Sequence, residues 1–226
     1  MTMSSGPSGI PGQTPTRTLA VVSAGLSQPS STRLLADRLA DATVRELEDL
    51  GHTVRVETVE LRDVAHAVVD AMLTRFPTGD LARALEHVTG ADGLIAVSPV
   101  FTTSYSGLFK SFWDVVDPDS LTGMPVLLGA TGGTARHSLA LEYAMRPLFT
   151  YLRADVVPTS VFAATDDWAA SADPSTGSGR RDDGGLPRRI GRAGRELALR
   201  VDRSRNAGPV DPFAATPSFT ELLGGS

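Results

Sequence analysis

The order of apolar segments in this 226-residue chain predicts an α/β fold: one doubly wound, five-stranded parallel sheet with helices on both faces. Short runs of branched apolar residues alternate with segments of helical periodicity, and most of these runs are apolar at consecutive positions, as strands buried on both faces are. The three turns with functional character follow the first, third and fourth runs, whose carboxyl ends become neighbours in a 2-1-3-4-5 strand order.

The first run, Thr18–Ser23, passes through a turn with Gly25 and Pro29 into the hydroxyl triplet Ser30, Ser31 and Thr32. Leu34, Leu35, Leu39, Ala42, Leu47 and Leu50 then mark a long helix that stops at Gly51. Thr53–Leu61 alternates as the second strand, and Arg62–Phe76 and Asp80–Thr89 read as two helices split by Pro77 and Gly79. Gly93–Ser98 is the third strand. Pro99 ends it, a loop of hydroxyls and aromatics follows, and Leu108, Phe109, Phe112, Trp113 and Val116 recur at helical spacing. Pro125–Thr134 is a fourth strand that runs into a glycine loop. Ala135–Arg153 reads as a helix that Pro147 kinks or splits. Asp155–Phe162 is the fifth strand, and Pro187–Val201 is a closing, arginine-rich helix with a solvated face.

The domain is expected over 18–203, after a disordered tail over 1–17, with a mobile Gly-, Ser- and Asp-rich loop at 171–185. The segment 204–226 reads as a second tail. Its Phe213, Phe219, Leu222 and Leu223 lead us to expect that Pro212–Leu223 docks in an apolar groove of its own domain or of a neighbouring subunit.

A net charge of −5 with scattered Lys and Arg argues against nucleic acid or an anionic membrane as partner. The absence of cysteine excludes disulfides, thiolate metal sites and a catalytic thiol. His52, His66, His87 and His137 show no metal-binding spacing, so no metal is expected. No apolar run approaches the roughly 18 residues of a spanning helix, and no basic-then-apolar signal pattern opens the chain. A soluble, cytoplasmic protein is expected.

The turns offer hydroxyls and backbone amides, without an acid, base or metal ligand, so the chemistry is expected to belong to a bound cofactor and no side chain is assigned as catalytic. Ser30, Ser31 and Thr32 open a helix, where hydroxyls, free amides and the helix dipole favour a phosphate. An N-cap alone would need only one of the three. Thr131–Arg136 (TGGTAR) can wrap the polar edge of a heterocycle with its amides, or form an ordinary glycine turn with Arg136 solvated. Phe101 and Tyr105 lie in the loop proper and are read as surface for a flat ring, whereas Trp113 fits the core pattern.

The segments QPSSTRLL, SPVFTTSYSGLFKSFWD and GATGGTARHSLALEYAMRPLFTYLRA resemble the three loops of NADPH-dependent FMN reductases with the flavodoxin-like fold, across roughly Thr18 to Trp168. The branch that supplies reduced FMN to two-component alkanesulfonate and luciferase-like monooxygenases is the most similar. The resemblance implies FMN and NADPH (or NADH) as ligands, NAD(P)H:FMN oxidoreductase activity and a flavin-dependent monooxygenase as partner. It also implies roles for Ser30, Ser31 and Thr32 at the phosphate, for Pro99, Val100, Phe101, Thr102 and Ser106 at ribityl and ring, and for Thr131, Gly132, Gly133 and Thr134 at the pyrimidine edge. Ser27 stands at the family's common loop-one arginine position, and Phe101 replaces a frequent tyrosine. Tyr105 matches an extra aromatic associated in that branch with a π-bulge in the Ser104–Val116 helix at a tetramer interface. The apolar residues of that helix exceed what one face needs, so a homodimer or homotetramer is expected. The alternatives are an FMN-containing quinone or azo reductase of the same fold and a flavodoxin-like electron carrier. The carrier would want a more acidic surface and a Thr-rich phosphate loop with internal glycine.

Overall fold

The computed structural model describes residues 16–172 and 185–204. The expected N-terminal tail apart from its last two residues, positions 173–184 of the expected mobile loop, and 205–226, with the docking expected of Pro212–Leu223, lie outside the described residues.

The strands are β1 (Thr16–Ser23), β2 (Thr53–Glu60), β3 (Gly93–Phe101), β4 (Ser104–Tyr105), β5 (Pro125–Gly132), β6 (Asp155–Val156) and β7 (Val161–Ala164). They run in the order β2-β1-β3-β5-β6, parallel throughout, with β7 also on β5 and β4 folded back antiparallel on the end of β3. The α/β architecture is as expected, but the sheet has seven strands where five were expected. The fifth run is cut in two around Pro158, which has no N–H for the ladder, and the loop after β3 supplies the other extra strand, β4. β1 also starts at Thr16, two residues before the expected domain boundary, because Thr16 and Arg17 pair with Thr53 and Val54.

Both faces are covered. Helices α1 (Ser31–Asp49) and α7 (Leu186–Arg203) pack on one side, where Leu19, Val21, Ile95, Val97 and Leu127 point. A Cβ on Gly194 of α7 would sit 2.9 Å from Ala42 of α1, so glycine sets how closely these helices approach. The other side holds a 3₁₀ turn (Leu61–Val64), α2 (Ala65–Thr74), α3 (Gly79–Thr89), α4 (Gly107–Asp114) and α5 (Arg146–Tyr151), over Ala20, Val22, Leu94, Ala96 and Leu128. α6 (Thr165–Ala172) follows β7, so positions 171 and 172 are helical where a mobile loop was expected.

Two expectations about helices are corrected. Phe109, Phe112, Trp113 and Val116 are buried inside this chain, the first three in an aromatic cluster with Phe149, so α4 spends its apolar surplus on its own core. The π turn lies in the next helical segment, at Leu141–Met145, while α4 is regular. The expected helix Ala135–Arg153 starts as a 3₁₀ turn (Ala135–His137) and passes through that π turn directly into α5, with Pro147 the second residue of α5, just after the π turn. No helix among the described residues is long and apolar enough to cross a membrane.

Candidate functional site

The carboxyl ends of β1, β3, β5 and β7 enclose a cavity of about 560 Å³. Next to its first wall stands Ser30, the N-cap of α1, whose Oγ accepts from the Arg33 amide at 3.2 Å and keeps its own proton to donate. A Cβ on Gly25 would lie 2.0 Å from that oxygen, so only glycine fits beneath the cap. Thr32 is buried, and its hydroxyl lies 2.8 Å from that of Thr131. One of the two donates to the other, which leaves one O–H for a ligand. The amides of Ser31 and Thr32 precede the first intrahelical bond, from Leu34 to the Ser30 carbonyl at 3.0 Å. Hydroxyls, amides and the positive end of α1 thus converge on one corner, which suits an anion.

The second wall is Pro99, Val100 and Phe101, the last 47% exposed. Ser98 Oγ accepts from the Ser106 amide at 3.0 Å and donates to the Pro99 carbonyl at 2.9 Å, closing the base of the β3–β4 hairpin. Its tip is Thr102–Thr103, with φ of 47° and 71°, a left-handed pair that β-branched residues rarely form. The third wall is Thr131, Gly132 and Gly133. A Cβ on Gly132 would meet Phe162 Cζ at 2.9 Å, whereas Gly133 faces open space and leaves its backbone approachable.

Eight expected residues therefore line one cavity: Ser31, Thr32, Pro99, Val100, Phe101, Thr131, Gly132 and Gly133. Ser30, Thr102, Tyr105, Ser106, Thr134 and Arg136 are not among its lining. Ser106 is buried, its Oγ accepting from the Phe109 amide at 3.2 Å as the cap of α4. Tyr105 packs its ring on Phe109, centroids 5.7 Å apart. Thr134 and Arg136 are exposed around the 3₁₀ turn beyond the glycines.

The sequence reading missed Leu26, Ser27, Thr165 and Trp168, which also line the cavity. The Arg38 guanidinium lies 5.0 Å from the centroid of the Trp168 ring. The signal was available in the strand order, since β7 neighbours β5 and the loop after it opens at the same end of the sheet.

None of the lining residues is ionisable. The cavity can hold and orient a flat molecule with an anionic tail, but it contributes no acid or base of its own. These residues fit a flavin mononucleotide: donors at one corner, an apolar and aromatic wall, and a glycine edge free of Cβ atoms.

The family model described as NADPH-dependent FMN reductase matches residues 17–169. A Pseudomonas aeruginosa protein named FMN reductase (NADPH) is 35% identical over 149 residues, 65% of this chain and 76% of its own length. The NADH-dependent FMN reductase SfnF of Pseudomonas putida is 36% identical over 146 residues, again 65% and 76%. Among solved structures, an oxidoreductase from Corynebacterium diphtheriae superposes with a TM-score of 0.76 at 45% identity, covering 84% of this chain and 98% of that one. With the family model spanning all three walls of the cavity, the chain belongs to the NADPH-dependent FMN reductases, a family of NAD(P)H:FMN oxidoreductases.

Proposed function

We propose that this NAD(P)H:FMN oxidoreductase works at the cavity described above and delivers reduced FMN to a partner flavin-dependent monooxygenase. The observation that carries the reading is the Thr32–Thr131 hydrogen bond. It joins an anion-accepting helix start to a glycine edge across one cavity with no ionisable lining. Bound FMN supplies the two-electron chemistry. Ser30, Ser31 and Thr32 hold its phosphate with hydroxyls and amides. Pro99 to Thr102, with Tyr105 and Ser106 behind them, shape the wall for the ribityl chain and ring. The amides of Thr131 to Thr134 face the polar edge of the ring, where preorganised donors favour added negative charge, and Arg136 adds positive charge nearby. NADPH or NADH would reach the flavin from the open side of the cavity. The rate then depends on alignment rather than on one indispensable side chain.

Ser31→Ala with Thr32→Val tests the phosphate assignment while leaving the Ser30 cap intact. Charge-assisted bonds are worth roughly 1.5–3 kcal/mol, so FMN affinity is expected to drop about tenfold or more while riboflavin affinity holds. Equal losses for both ligands would place the phosphate elsewhere. Delivery is tested by whether a flavin-dependent monooxygenase turns over when reduced flavin comes only from this chain, FMN and NAD(P)H. FMN retained through purification, with ping-pong turnover of quinones, would point to the quinone reductase alternative instead. Self-association as a dimer or tetramer would use the face with Leu139, Tyr143 and Tyr151, which are 60%, 79% and 75% exposed. Light scattering that finds a monomer would remove it.

A further inference from the structure

An anion at the start of α1 calls for a counter-charge, and the cavity lining contains none. Arg33, the nearest cation in sequence, is committed to Asp37 at 2.7 Å and to Glu60 at 2.5 Å. Ser27 stands where the resemblance would put an arginine. Residues 26–29 are exposed.

One side chain reaches them. Arg62, from the 3₁₀ turn Leu61–Val64, comes up beneath the first loop and lies 3.4 Å from the Ser27 carbonyl through Nη1. With its amide oxygen turned to the guanidinium, Gln28 accepts from Nη1 at 2.8 Å and from Nη2 at 2.6 Å. Among the described residues, no other side chain hydrogen-bonds to Ser27 or Gln28. Arg62 is itself held, Nη2 on Glu60 Oε2 at 2.8 Å and Nε near Asp63 Oδ1 at 3.5 Å. Glu60 is only 17% exposed and is shared with Arg33, so two guanidiniums meet one shielded carboxylate under the loop. Asp37 on Arg33, 45% exposed, and Asp63 on Arg62, 71% exposed, offset part of that charge and are themselves screened by solvent.

We propose that Arg62 is a positioning residue for the phosphate corner. Its planar fork closes two N–H groups on the one amide oxygen of Gln28 and fixes the loop that ends in Ser30–Thr32, while its charge raises the potential there without lining the cavity. The role needs a fork, so lysine is not equivalent. The inference rests on the phosphate assignment made above.

The test compares affinities of the full-length protein for FMN and for riboflavin, read by flavin fluorescence, with steady-state kinetics alongside. Arg62→Ala is expected to weaken FMN binding about tenfold and riboflavin binding less than about twofold. KM for FMN rises while kcat at saturating FMN holds, since the ring end is untouched. Arg62→Lys is expected to behave like Arg62→Ala. Gln28 is exposed, so Gln28→Ala probes the same contact without disturbing Glu60 or Arg33; it is expected to give most of the same loss, and the double variant no more than Arg62→Ala alone. Restored FMN affinity in Arg62→Lys would overturn the clamp in favour of charge alone. Equal losses for FMN and riboflavin, unchanged FMN binding, or additive losses in the double variant would each overturn it as well. If Ser31→Ala with Thr32→Val separates FMN from riboflavin and Arg62→Ala does not, this inference alone fails; if neither does, the phosphate assignment fails with it.

Discussion

The two loops that line the cavity from β1 and from β3 are held in opposite ways. The first is built of hydroxyls over a charged support, with Arg62 gripping Gln28, and none of its described residues has a positive φ. The second is closed by neutral bonds between Ser98 and Ser106 and turns on two left-handed threonines. An anion is met at the first loop by hydroxyls and amides that an ionic clamp holds in place from below. A ring edge has to be met by backbone in a fixed place, and the second and third walls reach that by shape and strain.

The largest effect is expected at the third wall. Gly132→Val drives a side chain into Phe162, and overpacking of this kind costs typically about 1–3 kcal/mol, so both melting temperature and turnover fall. A Cβ at Gly133 would have no protein atom within 4 Å, so Gly133→Val is expected to hold its stability while FMN turnover drops by roughly tenfold, about 1.4 kcal/mol of lost alignment. Thermal melts and NADPH oxidation read the two side by side. A Gly133→Val enzyme with normal turnover would show that the ring edge is not read at this backbone.

Next in size is the hairpin tip. A left-handed residue with a Cβ costs roughly 1–2 kcal/mol, so Thr102→Asn with Thr103→Gly is expected to raise stability by about that much. For a domain of this size that is a rise of about 2–4 °C or more in melting temperature. If the strain serves the site, the same variant is slower with FMN. A melt unchanged or lowered would mean the threonines are not strained, and the contrast between the two loops would lose one side.

Much of this was legible in the sequence, and the exceptions have physical causes. β3 and β5 are buried almost end to end, so their apolar runs stand out, while the edge strand β2 mixes polar and apolar residues and is mostly exposed. The split of the fifth strand was less visible, because one proline interrupts a run that otherwise reads as continuous. Periodicity marked the apolar face of α4 but could not tell a core from an interface; the partner that fills it, Phe149, comes from another element. The hydroxyl triplet and glycine loop were visible as local patterns. Ser106 was legible as a hydroxyl near the site, but only the fold shows that its oxygen is used by the cap of α4. Arg62 and Trp168 reach the first loop and the cavity through tertiary contacts that no local pattern records.

The smallest expected effect concerns a third manner of holding, at the break between β6 and β7. Arg146 donates to the carbonyls of Val157 and Pro158 at 3.1 and 3.2 Å and to Ser160 Oγ at 2.9 Å, and is itself gripped by Glu142. From the α7 side, Glu196 accepts from the Thr159 amide and hydroxyl at 2.9 and 2.8 Å. The Arg146 hydrogen bonds hold the Glu142 carboxyl below its ordinary value, against some burial. Burial pushes Glu196 up, but its bonds from Thr159 and Arg192 outweigh that and leave it lowered too. A carboxylate lowered by folding adds stability above its unfolded pKa and loses it as pH falls through the folded one. Melting temperature is therefore expected to fall as pH drops from about 5 toward 3, since unfolded glutamates titrate near 4.3. Glu142 is 48% exposed, so solvent screens most of its share, and Glu196 at 22% carries more. Exposed pairs are worth about 0.2–1 kcal/mol, so Glu196→Gln is expected to melt about 1–3 °C below the parent at pH 7 and to show a shallower acid decline. The break leads directly into β7 and then Thr165 and Trp168, so the same loosening reaches one wall of the cavity. An acid decline in Glu196→Gln as steep as in the parent would show that this carboxylate does not hold the break.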